Sequence, residues 1–144
     1  MRGETRKLVV EAAMGWLGTP YHHNARVRGV GVDCAMLPAA VYEEAGAIDP
    51  VEPRYAHDWH MHRSAELYIE WVLRCGGHEI EREQSLPGDL ALWRWGRTFS
   101  HGGILVGGDM VVHAWIGLGV TLDSILTHTE LSTRPMRFFT MGGG

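Results

Sequence analysis

Ser100-His101-Gly102-Gly103-Ile104-Leu105-Val106-Gly107-Gly108-Asp109-Met110-Val111-Val112-His113-Ala114-Trp115 is the stretch that decides the fold. It reads as two strands in hairpin order, His101 to Val106 and Met110 to Trp115, with Gly107-Gly108-Asp109 as the joint. Side chains alternate across a sheet, so His101 and His113 share a face if the loop has an odd residue count. A three-residue loop of Val106, Gly107 and Gly108 would set them directly opposite, about 5 Å apart at Cβ. One imidazole could then orient the other through a ring N–H, the base-plus-orienter arrangement that a cysteine hydrolase requires. The plainer alternative is two pleat histidines whose polar tips reach solvent or backbone.

Upstream, Leu90 to Trp95 alternates as a strand after the turn Leu86-Pro87-Gly88-Asp89, and a last strand is expected from Arg137 to Thr140, after Pro135. The N-terminal half reads as helices. Residues 4 to 17 place Leu8, Val9, Ala12, Ala13, Trp16 and Leu17 on one face, and Gly18 ends the run. A second helix is expected from Cys34 to Ala45, stopped by Gly46, and a third from Arg63 to Cys75, closed by Gly76-Gly77. Helices followed by strands indicate an α+β fold with N-terminal helices packed on an antiparallel sheet.

Gly31-Val32-Asp33-Cys34-Ala35-Met36-Leu37 places a cysteine where a glycine-rich loop meets a helix. Asp33 is a favoured N-cap, so Cys34 falls in the first turn, where free N–H groups and the helix dipole favour a thiolate. Pro38 cannot donate to the Cys34 carbonyl, so either that turn is distorted or the helix begins later. A packed, inert thiol is the alternative for Cys34 and the reading for Cys75. Both thiols are expected to be free.

The chain has 144 residues, with 13 Lys and Arg against 17 Asp and Glu, a net charge near −4. That length suits one domain, 1–144, able to bury a core without zinc or disulfides. No basic run suggests nucleic acid, and no segment approaches the roughly 18 apolar residues of a membrane span. No secretion signal is seen, so the chain is expected to be cytoplasmic at synthesis unless something carries it out.

Four blocks occur in order: Trp16-Leu17-Gly18-Thr19-Pro20-Tyr21, Gly31-Val32-Asp33-Cys34, Pro87-Gly88-Asp89-Leu90, and Ser100 to Gly107 with the returning Val112-His113-Ala114. Together they resemble the papain-like cell-wall cysteine peptidases of the NlpC type, over most of the chain except residues 46 to 85. The resemblance implies Cys34 as nucleophile, His101 as general base and His113 as the residue that orients it. Tyr21 would line the site and help hold an oxyanion, and Asp33 matches an acidic residue before the nucleophile, assigned with Tyr21 to substrate binding. His22, which follows Tyr21, is placed with them along the cleft.

The implied reaction is hydrolysis of an amide in peptidoglycan stem peptides, often between D-glutamate and a diamino acid, with no cofactor and no metal. Ala35-Met36 stands where these enzymes usually carry Ser-Gly, which bears on the bond cleaved. Tyr55-Ala56-His57-Asp58-Trp59-His60-Met61-His62 looks like the variety found in tail proteins of phages and gene-transfer particles. Tail-tip or baseplate proteins are therefore expected partners, and a particle tail the expected destination. Three other readings stand: an idle plug in a tail tip, a zinc protein using His57, His60 and His62, and an acyl-transferring relative acting on lipid. Trp93, Trp95 and Trp115 are expected either to pack the core or to wall the cleft.

Overall fold

The computed structural model describes residues 1–50 and 66–142. The expected third-helix start at Arg63 and the His57–His62 cluster fall outside them. The helices are α1 (Gly3–Gly15), α2 (Met36–Glu44) and α3 (Leu67–Arg74). A small pair, β1 (Arg26–Val27) and β2 (Gly31–Val32), stands apart from the main sheet. That sheet contains β3 (His78–Ile80), β4 (Leu90–Trp95), β5 (Thr98–Gly107), β6 (Met110–Trp115), β7 (Gly119–Ser124) and β8 (Met136–Thr140). It is antiparallel throughout, in the order β3-β8-β4-β5-β6-β7.

Alternation along the central strands builds two apolar layers. Leu90, Leu92, Ile104, Val112 and Phe139 face the helices and pack with Val9, Leu37, Val41 and Val72. Ala91, Trp93, Leu105, Val111 and Phe138 form the layer on the other face with Ile125 and Leu131. The central strands are therefore covered on both sides, which explains why β4 is almost continuously apolar although its neighbours are antiparallel.

The hairpin departs from the expected register. Gly103, not His101, stands opposite His113, and a bulge between Leu105 and Gly107 precedes the turn. A bulge shifts pairing on one strand, so the two histidines are diagonal rather than directly opposite. They keep a common face, the one that carries Trp93 and Leu105. Pro38 also finds its place. The helix begins at Met36, so Pro38 lies in the first turn, where a missing N–H costs nothing, and the Leu37 N–H bonds the Asp33 carbonyl at 3.1 Å.

The loop carrying Thr19 is clipped to β7 by two backbone bonds, Gly18 N–H to the Val120 carbonyl at 3.0 Å and Val120 N–H to the Thr19 carbonyl at 2.9 Å. Gly119 makes this possible: its φ is +87°, and a Cβ there would lie 2.4 Å from the Thr19 carbonyl oxygen. Gly119→Ala should cost on the order of 2–4 kcal/mol, combining left-handed strain with a backbone clash. Gly117→Ala has a similar φ but open space around its Cβ, and should cost only about 1 kcal/mol. Urea-denaturation midpoints of the two variants test this; equal losses would mean that the clip relaxes.

Candidate active site

Two backbone arms hold the cysteine. Val32 N–H donates to the Pro20 carbonyl and His22 N–H to the Val32 carbonyl, each at 3.0 Å, so Tyr21 runs beside the residues preceding Cys34. Gly31 permits this approach, since a Cβ there would sit 2.8 Å from that of His22. The Tyr21 hydroxyl donates to the Cys34 sulfur at 3.7 Å.

Asp33 lies fully buried beneath the turn. Its Oδ1 accepts the N–H groups of Ala35 and Met36 at 3.2 and 2.9 Å, and its Oδ2 accepts the Asn24 N–H at 2.8 Å. The carboxylate holds the turn leading into α2 as expected from its residue type, although the N-cap position itself falls on Ala35, two residues later. The substrate contact expected from the resemblance has no exposed surface through which to act. The carboxylate orders the His22–Asn24 loop and the start of α2 instead. Ion pairs from Arg26 to Glu43 and from Arg28 to Glu44 tie the same loop to α2.

On the sheet, His101 Nε2 and His113 Nδ1 are 2.9 Å apart, and His113 Nε2 lies 2.8 Å from Asp123 Oδ2. Asp123 sits on β7, two residues beyond Thr121, the register partner of His113. Thr121 Oγ1 donates to the same carboxylate oxygen at 2.8 Å. Partial burial pulls the Asp123 carboxyl upward, but the hydrogen bonds from His113 and Thr121 outweigh it and leave it below the usual range. An ionised carboxylate only accepts, so His113 Nε2 carries a hydrogen. In the neutral ring Nδ1 then has the lone pair and accepts from His101 Nε2–H. The nitrogen left basic on His101 is Nδ1. The direction of the whole chain follows from Asp123.

Glycines give this chain its room. Gly103 faces His113 across the hairpin, and a Cβ on it would come within 2.6 Å of Val111 and 3.2 Å of the His113 Cβ. Gly102, on the other face, lies against Tyr68 and Pro38, where a Cβ would meet the tyrosine oxygen at 2.4 Å.

Burial favours the uncharged form of both partners. Burial above all, and then the Asp33 carboxylate, pushes the Cys34 thiol up to about 11, against the opposing pull of the Tyr21 hydroxyl and the Cys34 and Ala35 N–H groups. Burial, with His113, His128 and Arg134 nearby, holds His101 well below its ordinary range. This corrects the expectation of a thiolate favoured by the helix start. The helix begins two residues beyond the cysteine, and the N–H groups of Ala35 and Met36 are taken by Asp33 rather than aimed at sulfur.

Cys34, His101 and Tyr21 line one cleft of about 400 Å³ with Trp95, Ser100, Trp115, Glu130 and Arg134. The tryptophans divide between the two expected roles. Trp93 is fully buried and donates Nε1–H to the Leu131 carbonyl at 3.0 Å, whereas Trp95 and Trp115 form cleft wall around His101. His22 is exposed and is not among the cleft-lining residues. Cys34 and Cys75 are both free thiols.

His113, Asp123 and His128 each bring a potential metal-ligating atom within 4.8 Å of the others. Their hydrogen bonds oppose an ion. His113 Nε2 is committed to Asp123, and His128 Nδ1 accepts the N–H groups of Glu130 and Leu131 at 3.2 and 3.1 Å. That leaves the hydrogen of the neutral His128 ring on Nε2, so coordination there would break both backbone bonds. Among the described residues no helix is long and apolar enough to cross a membrane.

The NlpC/P60 family profile matches residues 18–136. The chain belongs to the NlpC/P60 family and has its papain-like α+β fold. Similar solved structures include the NlpC/p60 domain of the peptidoglycan hydrolase SagA, at 20% identity and a TM-score of 0.65, covering 92% of this chain and 96% of that one. NlpC1 from Trichomonas vaginalis superposes with a TM-score of 0.71 at 17% identity, over 99% of this chain but only 45% of its own length. RipD from Mycobacterium tuberculosis, described as a non-catalytic NlpC/p60 domain protein adapted to peptidoglycan binding, gives 0.62 at 14% identity over 97% of this chain and 98% of that one. No curated protein matches by sequence. The fold thus occurs in both a hydrolase and a protein described as non-catalytic.

A thiol held near 11 alkylates slowly at neutral pH. The rate of Cys34 modification by iodoacetamide, mapped by mass spectrometry to separate it from Cys75, should rise about tenfold per pH unit across the mildly alkaline range without levelling. A plateau beginning near neutrality would show a preformed thiolate.

Proposed function

We propose that this protein is a cysteine peptidase that hydrolyses amide bonds in peptidoglycan stem peptides, and that residues 1–144 form one such domain. The observation that supports it best is the directed chain Asp123–His113–His101, ending in a basic nitrogen on a ring that shares a cleft with Cys34 and Tyr21.

Both partners rest neutral, so the first step is general-base catalysis. His101 Nδ1 takes the thiol proton as sulfur attacks the scissile carbonyl carbon. The resulting oxyanion is held by the Tyr21 hydroxyl and backbone N–H next to the sulfur. His101, now an imidazolium, passes its proton to the leaving amine, and the C–N bond breaks to leave a thioester. A water then loses its proton to His101 and attacks the thioester. Collapse expels the Cys34 sulfur, which regains the proton, and frees the peptide carboxyl group. While His101 is charged, its Nε2–H bond to His113 is strengthened, and Asp123 at the end of the chain offsets the positive charge.

The bond between a D-glutamyl residue and a diamino acid is the proposed cleavage point, and carriage on a phage-like tail, with synthesis in the cytoplasm, the proposed route to the wall. Both rest on resemblance, the second on residues 55–62 alone. An idle plug is the rival that RipD makes concrete; retention of Cys34, His101 and His113 in this chain favours catalysis.

Incubation of the purified protein with peptidoglycan fragments, followed by mass spectrometry, should show new amine and carboxyl ends. Cys34→Ala should give none, and identical products from it would refute the assignment. Asp123→Asn can turn its amide hydrogens toward His113 and reverse both tautomers. Its kcat should fall by about two to three orders of magnitude with KM little changed. Unchanged kcat would show that the carboxylate does not direct the histidines. Because His101 is neutral well below pH 6.5, kcat/KM should hold its plateau through that value and fall only at lower pH. An acidic limb at or above it would contradict the buried, neutral base.

A further inference from the structure

Among the described residues that line the cleft, Arg134 is the one cation with a guanidinium or ammonium group, and the fold holds it in place from three sides. Its guanidinium carbon lies 3.8 Å from the centroid of Trp95, close enough for a stacked cation–π contact. Its Nε–H donates to Glu130 Oε2 at 2.9 Å, and Nη1 makes a longer bond of 3.4 Å to the Arg94 carbonyl. Among the described residues Nη2 has no hydrogen-bond partner, and the side chain keeps 31% of its surface exposed. Trp95 in turn packs on His101 with ring centroids 5.2 Å apart. A planar cation is therefore fixed one aromatic ring away from the general base, with donors unspent.

Pre-organisation of this kind matters most for a planar, bidentate partner. A loose arginine loses side-chain entropy on binding, whereas one already stacked and clamped loses little. The matching group is a carboxylate, which takes two parallel N–H bonds from the Nη1 and Nη2 edge. Glu130 does not cancel the site, because it occupies Nε and leaves that edge available. It also sets an anion beside the cation, so the wall offers a fixed pair of opposite charges.

We propose that Arg134, stacked on Trp95 and clamped by Glu130, is a carboxylate-binding subsite that recognises a free carboxylate next to the scissile amide. This rests on the peptidase reading and adds a substrate requirement to it: amidated stem peptides are poor substrates. Two carboxylates flank the proposed bond, the α-carboxylate of the D-glutamyl residue and that of the diamino acid, and the experiment separates them.

Four synthetic stem peptides serve as probes, with each of the two carboxylates free or amidated in turn. The native protein should cleave peptides carrying the recognised carboxylate with kcat/KM at least about tenfold above the amidated forms, chiefly through KM. Arg134→Gln should level the forms, while Arg134→Lys, which keeps the charge but not the fork, should restore part of the preference. A structural role alone would lower activity on all four peptides equally. Preference retained in Arg134→Gln, or no preference in the native protein, overturns the proposal. If the native protein cleaves none of the four, the peptidase reading fails separately. Calorimetric binding of the same peptides to Cys34→Ala and to Cys34→Ala/Arg134→Gln then decides the subsite: carboxylate-dependent binding lost with Arg134 supports it, and binding indifferent to amidation or absent from both sinks it.

Discussion

A carboxylate that can only accept hydrogen bonds, placed at one end of two linked imidazoles, dictates where every proton between them lies. Asp123 fixes the His113 hydrogen on Nε2, His113 then accepts from His101, and His101 keeps its lone pair on Nδ1. Each ring has two nitrogens that would otherwise trade places freely. The rest of the structure serves this polarity. The hairpin bulge puts the histidines on a diagonal, Gly103 clears the space between them, and β7 brings the aspartate alongside.

The same interior that orders the protons also removes charge. Burial disfavours both the thiolate and the imidazolium, so the pair waits as thiol and neutral ring. Buried Asp33 adds to this by raising the thiol further, although its main work is to hold the start of α2 and the Asn24 turn. In the reaction proposed above, a neutral resting pair places the demand for charge stabilisation in the transition state, where the Tyr21 hydroxyl and the Asp123 chain would meet it.

Much of this was legible in the sequence because strong local signals coincided with the real elements. The β4 and β6 spans are as expected, α1 and α2 differ by one or two residues at most ends, and β8 begins one residue early. What was missed lacked such signals. β3 has three residues and is largely exposed, and β1 and β2 have two residues each, too few for any period to show. β7 opens on glycine and alternates weakly, so the sequence offers no strand there and no role for Thr121 or Asp123. With β7 unseen, nothing distinguished Asp123 from an ordinary surface acid. A strand read through Gly119-Val120-Thr121-Leu122-Asp123-Ser124 after the Gly117 turn would have set both polar side chains on the His113 face. Glu130 and Arg134 were hidden differently: they lie between strands, and only the folded chain brings them to Trp95.

The final strand does not join an edge. β8 enters between β3 and β4, pairing with both. While the chain emerges from the ribosome, the two flanking strands therefore stay unpaired on their facing sides until β8 is made, and non-local pairing of this kind closes slowly. A nascent chain lacking β8 has Cys34 but an unfinished sheet beneath His101. The topology thus leaves the sheet that carries His101 and His113 incomplete until β8 is in place.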